Sequence, residues 1–286
     1  MSDAGDPTLV PLAEHLAGRR VLVSGGGSGI GAACATRLAR DGAPVTICGR
    51  TRDRLVEAVE RIVAEVPGAD VDWQVADLTV EADVVTLVER AAGASGALGG
   101  VVANAGGGAG FRPHHLQDVE RFRSVLDRNL TTALSLLKHT VGPLARGGGG
   151  SFVAMSSIAA VQAHPYFGAY AVAKAGLEQM VRDAAVEYGP YGVRCNAVRP
   201  GFIATEVMEA FDRDGPVYAS YLENTPMGGV GRPEDVAALV RFLVGPESRW
   251  ITGQAIGVDG GHALRAGPDV ASLVVRAAGP DALDPR

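Results

Sequence analysis

The sequence predicts an α/β fold: a doubly wound parallel sheet of seven strands with helices on both faces, in one domain. Three observations carry this. Short apolar runs alternate with longer amphipathic stretches from about residue 20 to residue 262, the pattern of strand–helix–strand units. The first run, Arg20-Val21-Leu22-Val23-Ser24, opens onto a glycine turn and then a helix-forming stretch over 32–40. No linker composition and no internal repeat beyond that alternation divides the chain, so right-handed crossovers within a single sheet are expected.

Taken in order, residues 1–19 read as a leader, in which Leu9, Val10, Leu12 and Leu16 offer packing near the first strand. The second strand is expected over 44–48. A charged helix follows over 51–66 with Leu55, Val59, Ile62 and Val66 inward. Residues 71–75 read as the third strand, 80–92 as a helix and 99–103 as the fourth strand. A long helix is expected over 117–145. Asn129 sits inside it and is a poor helix former; it is either exposed and idle, or marks a local kink that frees a carbonyl to hold water. Residues 151–156 form the fifth strand, 168–188 a helix and 192–198 the sixth strand. Residues 202–231 look irregular and mixed. A helix over 233–244 and a last strand over 253–258 complete the domain, taken as 20–262. The tail, 263–286, contains Pro268, Pro280 and Pro285 and looks appended.

Composition narrows the function. A hydrophobic fraction of 47% supports a sizeable core, and 39 glycines against 5% aromatic residues imply close helix–sheet packing. The net charge of −6, with no basic cluster, disfavours nucleic-acid binding, which needs a positive footprint. The cysteines, Cys34, Cys48 and Cys195, show neither zinc spacing nor a disulfide framework and suit a reducing cytoplasm. His114-His115 reads as loop or helix entry, and no metal site is expected. The N-terminus lacks a signal-peptide apolar core, and no apolar run approaches the ~20 residues of a membrane span.

Two stretches carry chemistry. Gly25-Gly26-Gly27-Ser28-Gly29-Ile30-Gly31 lies between a strand and a helix. Glycines let backbone approach a pyrophosphate, and the helix N-terminus offers unpaired N–H groups and positive partial charge. A Rossmann-type dinucleotide site is expected there; a flexible turn is the bland alternative. At the end of the second strand no acid waits for a ribose 2′-hydroxyl. Arg50 stands there instead, either to pair with a 2′-phosphate or simply as a solvated residue entering the next helix. The lean is toward NADP over NAD. Asp77-Leu78 ends the third strand, with Asp77 either meeting an adenine edge or starting a helix. Asn104-Ala105-Gly106 ends the fourth, where Asn104 either bridges backbones or is purely structural. The second stretch runs from Ser157 to Lys174. Tyr170 and Lys174 are four apart, which places them on one helix face. An ammonium one turn away favours a phenolate and lowers the phenol's pKa.

Together these residues resemble the short-chain dehydrogenase/reductase family. The resemblance rests on Ser24 through Gly31, Asp77-Leu78, Asn104-Ala105-Gly106, Asn129, Ser157, Tyr170-x3-Lys174, Pro200-Gly201 with Thr205, and Asp259-Gly260-Gly261, in the family's order. It departs from the family pattern at Ser24, where Thr is usual, and at Ala103. It implies an oxidoreductase with catalytic residues Asn129, Ser157, Tyr170 and Lys174. Cofactor contacts are implied at Ser24, Gly25, Ser28, Gly29, Ile30 and Gly31, with Arg50, Asp77 and Leu78 toward the adenosine end. Further contacts are implied at Asn104, Ala105, Gly106, Tyr170, Lys174, Pro200, Gly201, Ile203 and Thr205. Hydride would pass between NADP or NAD and a carbonyl or secondary-alcohol carbon, as in ketone or 3-oxoacyl reduction. Lys174 would bind the nicotinamide ribose and Asn129 a water. A homotetramer, or a homodimer, is implied, packed through the helices holding Asn129 and Tyr170 and the final strand. Two alternatives stand beside this: enoyl thioester reduction on the same fold, and a non-catalytic dinucleotide sensor. The substrate walls are expected in 106–112 and 202–231. Met208, Phe211, Tyr218, Tyr221 and Met227 there line either a lidded pocket or a subunit contact.

Overall fold

A computed structural model of the protein describes residues 16–108, 110–206 and 212–284. Seven strands form one sheet in the order β3-β2-β1-β4-β5-β6-β7. They are β1 (Val21–Ser24), β2 (Val45–Gly49), β3 (Val71–Val75), β4 (Gly100–Ala103), β5 (Ser151–Met155), β6 (Arg194–Pro200) and β7 (Ala255–Val258). Every pairing is parallel. The helices are α1 (Gly29–Arg40), α2 (Arg52–Glu65), α3 (Glu81–Ala92), α4 (Val119–Leu126), α5 (Thr132–Arg146), α6 (Ala169–Tyr188), α7 (Pro216–Glu223), α8 (Pro233–Val244) and α9 (Ala271–Ala278).

A parallel sheet covered on both faces needs strands that are apolar on both sides, and the central strands supply this. Leu22, Val101, Phe152 and Ala154 point into one core with Leu87 of α3, Leu136 of α5 and Leu177 of α6. Val21, Val23, Val102 and Val153 point into the other with Leu38 of α1, Ile62 of α2 and Val240 of α8. Leu16 is fully buried in that second core, as expected of the leader's apolar residues; Leu9, Val10 and Leu12 lie outside the described residues. Strand order reverses between β1 and β4. The crevice beyond the strand C-termini at that point is where ligands bind in open α/β sheets.

Three elements differ from expectation. The long helix over 117–145 is two helices, α4 and α5, joined by a π turn at Asp127–Thr131 that contains Asn129. One extra residue per turn is a common local solution at functional sites. Residues 202–231 are not wholly irregular, because Pro216 starts α7 with its φ already set for a helix. The tail is folded rather than appended. Val270 and Val274 are fully buried, and Val270 packs with Phe202, Val217 and Tyr221 in a third, smaller cluster. Met208 and Phe211 lie outside the described residues.

Candidate active site

The glycine turn after β1 is shaped by close contacts. Gly25 and Gly29 have φ of +64° and +50°, a region that disfavours side chains. A Cβ on Gly31 would sit 2.1 Å from the Gly25 carbonyl oxygen. Ser28 occupies the N-cap of α1 without a side-chain cap bond, and the first turn holds no acid. The helix therefore starts with N–H groups its own residues do not satisfy. A carboxylate reaches one of them: the Gly29 N–H donates to Oε1 of Glu206 at 3.4 Å. An anion already takes the position where a phosphate oxygen is recognised, so the turn fits a dinucleotide.

Neighbouring strand ends are tied to this turn. The Ser24 hydroxyl accepts from the backbone N–H of Asn104 (2.9 Å) and of Ala105 (3.0 Å). The Asn104 amide donates to the carbonyls of Ser24 (3.1 Å) and Gly25 (3.3 Å). Asn104 thus bridges backbones, and Gly106 follows in the loop. Asn129 is buried in the π turn and clamps the next residue of that loop: its Oδ1 accepts from Gly107 N–H at 2.9 Å and its Nδ2 donates to Gly107 O at 2.8 Å. Nδ2 also donates to Val125 O at 2.9 Å. A Cβ on Gly106 would lie 2.6 Å from Asn129 Oδ1 and 3.3 Å from Lys174 Nζ. Gly106 therefore lets Asn129 and Lys174 approach the same point.

Ser157, just past β5, stands close enough to the Tyr170 phenol at the start of α6 for its hydroxyl to lower the phenol's pKa. Lys174, one turn on, is buried and donates from Nζ to the Met155 carbonyl at 2.7 Å. Its Nζ stands 5.5 Å from the centre of the Tyr170 ring, within cation–π reach. Burial lowers the Lys174 pKa from its usual 10.5 to about 8, so the amine is mostly protonated at neutral pH. The Tyr170 phenol differs from expectation: burial raises its pKa, with only the Ser157 hydrogen bond pulling it down. The Lys174 ammonium donates to the Met155 carbonyl, and at the phenol desolvation of the phenolate wins.

These groups meet in one cavity of about 1100 Å³. Gly25, Ser28, Gly29 and Ile30 line it from the turn, and Asn104, Ala105 and Gly106 from β4. Ser157, Tyr170 and Lys174 form its floor, while Pro200, Gly201, Ile203 and Thr205 come from the β6 end. Ser24, Gly31 and Asn129 stand behind it and shape it. Arg50, Asp77 and Leu78 are outside it, at the ends of β2 and β3. Asp77 accepts from Thr79 N–H (3.0 Å) and Oγ1 (2.7 Å), and these bonds, with the nearby Arg50 charge, lower its pKa. These bonds are the ones the helix-entry alternative calls for. His164, Phe167, Leu273 and Arg276 also line the cavity and were not legible as site residues, because none belongs to a spacing pattern. His164 and Phe167 do lie within the 157–174 stretch.

Comparison with known proteins decides the family. A family model described as enoyl-(acyl carrier protein) reductase matches residues 25–263. The chain is 36% identical to cis-4-hydroxycyclohexanecarboxylate dehydrogenase of Sinomonas cyclohexanicum over 88% of its length and 99% of the relative's. A solved structure of a short-chain type dehydrogenase/reductase from Mycobacterium ulcerans superposes with a TM-score of 0.91 at 39% identity, covering 95% of this chain and 99% of that one. The chain belongs to the short-chain dehydrogenase/reductase family. As a short-chain dehydrogenase/reductase it is an oxidoreductase acting on CH–OH or C=O groups, and its family binds a nicotinamide cofactor. A 7α-hydroxysteroid dehydrogenase solved with NADH and 7-oxo glycochenodeoxycholic acid is also similar, with a TM-score of 0.82 at 27% identity over 88% of this chain and 98% of that one.

Proposed function

We propose that this enzyme is an NADP-preferring reductase of a ketone on an alicyclic ring, with the reverse alcohol oxidation at higher pH. The observation that carries the reading is the convergence of Ser157, Tyr170 and Lys174 on the cavity into which the glycine turn opens. The Sinomonas relative, a dehydrogenase of a ring alcohol, supports the substrate class. Gly25–Gly31 and the α1 N-terminus would hold the cofactor's pyrophosphate, Lys174 its nicotinamide ribose, and Ile203 and Thr205 its carboxamide end. When bound, the nicotinamide supplies or accepts the hydride.

The chain's own groups handle the proton. Ser157 Oγ donates to the substrate oxygen and positions it. Tyr170 gives its phenolic proton to that oxygen as negative charge develops. A phenol whose pKa is raised by burial is protonated at neutral pH, the form that reduction needs. Lys174 keeps a positive charge beside the phenolate left behind. Asn129, fixed by three hydrogen bonds in the π turn, holds the Gly106–Gly107 loop against Lys174, and its position there suits a water relay to solvent. The test is a screen of NADPH and NADH oxidation against ketones and thioesters, with product analysis. The family model's description favours a second reading, enoyl thioester reduction, and a saturated C–C bond in the product would establish it.

Arg50 supports the NADP preference. It is exposed at the end of β2, close enough to Asp77 for its charge to be felt. Replacing it by alanine is expected to lower the ratio of kcat/KM with NADPH to that with NADH by about tenfold or more, the worth of a charge-assisted hydrogen bond. An unchanged ratio would remove Arg50 from cofactor choice.

The tail, 263–286, is proposed to close the cavity. Leu273 and Arg276 of α9 face it, while Val274 is buried beneath. Deleting residues 265–286 is expected to raise KM for the ketone at least tenfold; turnover and oligomer mass both unchanged would contradict this. A homotetramer through α4, α5, α6 and β7 is supported by exposed Val119, Leu134, Val172 and Val186 on those helices, and by the free edge of β7. The three buried, unpaired thiols, each pushed up to about 12, support a reducing cytoplasmic location.

A further inference from the structure

Two buried side chains on the cavity wall have polar atoms that no described residue satisfies. Tyr221 of α7 is 7% exposed and His164, in the loop before α6, is 8% exposed; both line the cavity. Tyr221 is fixed by its ring. It stacks on Phe202 with centroids 3.8 Å apart and parallel planes, and its edge meets His262 at 5.5 Å. A ring held that way aims its hydroxyl in one direction. The hydroxyl has no hydrogen-bond partner among the described residues, yet it is not sealed from solvent. It is near enough to Tyr170 that the Tyr170 phenol opposes ionisation of Tyr221.

His164 is pinned as firmly. Its Nδ1 pairs with the Gln162 carbonyl at 3.0 Å. A carbonyl only accepts, so Nδ1 carries the proton and neutral His164 presents a lone pair at Nε2. The edge contact with Phe167, at 4.9 Å and 75°, fixes the ring plane. Nε2 has no partner among the described residues and is likewise open to the cavity. His164 and Tyr221 flank the same residue, His262, at 6.4 and 5.5 Å between ring centres. Phe111, Phe167, Phe202 and Val217 are their apolar neighbours, and Arg276 of α9 lines the same cavity.

Polar atoms that open into a cavity and have no protein partner are satisfied there by water or by ligand. Here a phenolic donor and an imidazole acceptor stand among Phe111, Phe167, Phe202 and Val217 in the cavity that also holds the proton-transfer site. An alcohol offers both complements, one O–H donor and two lone pairs. A plain cycloalkanone offers neither once its carbonyl is taken by Ser157 and Tyr170. We propose that the substrate carries a second hydroxyl group besides its reacting oxygen, recognised by Tyr221 as donor and His164 as acceptor. The substrate class is then a hydroxylated alicyclic ketone, or the corresponding diol in the reverse direction. This rests on the alicyclic ketone reading above and sharpens it. Tyr221 and His164 set specificity; they do not touch the reacting carbon.

The test measures kcat/KM with NADPH for cyclohexanone and for the hydroxycyclohexanones of each ring position. The expected result is at least one hydroxycyclohexanone preferred over cyclohexanone by about tenfold or more, chiefly through KM, as one or two hydrogen bonds to a substrate hydroxyl provide. Tyr221→Phe keeps the stacked ring and removes only the hydroxyl, and His164→Leu removes the acceptor. Each is expected to bring that preference ratio down about tenfold. His164→Gln, which keeps a polar amide near the Nε2 position, is expected to retain more of it. Turnover of both kinds of ketone with no preference, or a preference that neither variant changes, overturns this inference alone. Turnover of no ketone by enzyme shown to bind NADPH overturns the alicyclic ketone reading and this inference with it.

Discussion

Replacing Tyr170 by phenylalanine is expected to cut kcat for ketone reduction by about a hundredfold to ten-thousandfold, the range for removing a positioned general acid. The phenyl ring still fills its place on α6, so the NADPH dissociation constant, read by nucleotide fluorescence, is expected to stay within a few-fold. The loss therefore falls on the chemical step rather than on binding. A second consequence follows from the pKa directions. The phenol is protonated at neutral pH because burial raises its pKa. Reduction needs that protonated form, whereas oxidation needs the phenolate. Rates of alcohol oxidation are therefore expected to climb with pH through and above the neutral range, while reduction falls as the phenol ionises.

Gly31→Ala has the next largest expected effect. Its Cβ would lie 2.1 Å from Gly25 O and 2.6 Å from Asn104 Nδ2. The first neighbour is backbone and the second is the amide that ties β4 to β1. Neither can yield without moving the turn. Overpacking of this kind costs roughly 1–3 kcal/mol, and here it also spoils the α1 N-terminus as a phosphate cradle. The variant is expected to be less stable in a urea melt and to bind NADPH at least a hundredfold more weakly. Gly189→Ala, with nothing within 4 Å of its Cβ, is the matched control and is expected to do neither.

The buried amine gives the protein its own pH signature. Folding lowers the Lys174 pKa from 10.5 to about 8. Between those values the unfolded chain holds a proton that the folded one has released, so this residue makes stability rise with pH across that window. Below about 8 the ammonium persists in the folded state, and its desolvation penalty is present in full.

Much of this fold was legible because parallel strands buried on both faces leave compact apolar runs between charged helices. Residues 71–75 and 233–244 match β3 and α8 to the residue. The glycine turn was legible because Gly31 and Gly25 leave no room for a Cβ. Asn129 marked a disturbance in its helix, but not that the disturbance is a π turn whose Asn clamps Gly107. Helices α7 and α9 were hidden for a different reason. Val217, Tyr221 and Val270 pack on one another over the cavity rather than on the sheet, so no strand pattern registers them. The spacing of Tyr170 and Lys174 placed them on one face correctly. It carried no information on burial, which governs the phenol's acidity in the free chain.

The most direct test of Tyr170 as the proton carrier is its own titration. Tyrosinate absorbance of the wild type minus that of Tyr170→Phe, followed against pH, isolates this phenol. Without cofactor it is expected to ionise above the ordinary phenol value of about 10. With NADP⁺ bound as proposed, a positive nicotinamide near the phenol would favour the phenolate, and the midpoint is expected to fall by about one unit or more. A midpoint that is the same with and without NADP⁺ would contradict the assignment of Tyr170 to proton transfer at the nicotinamide.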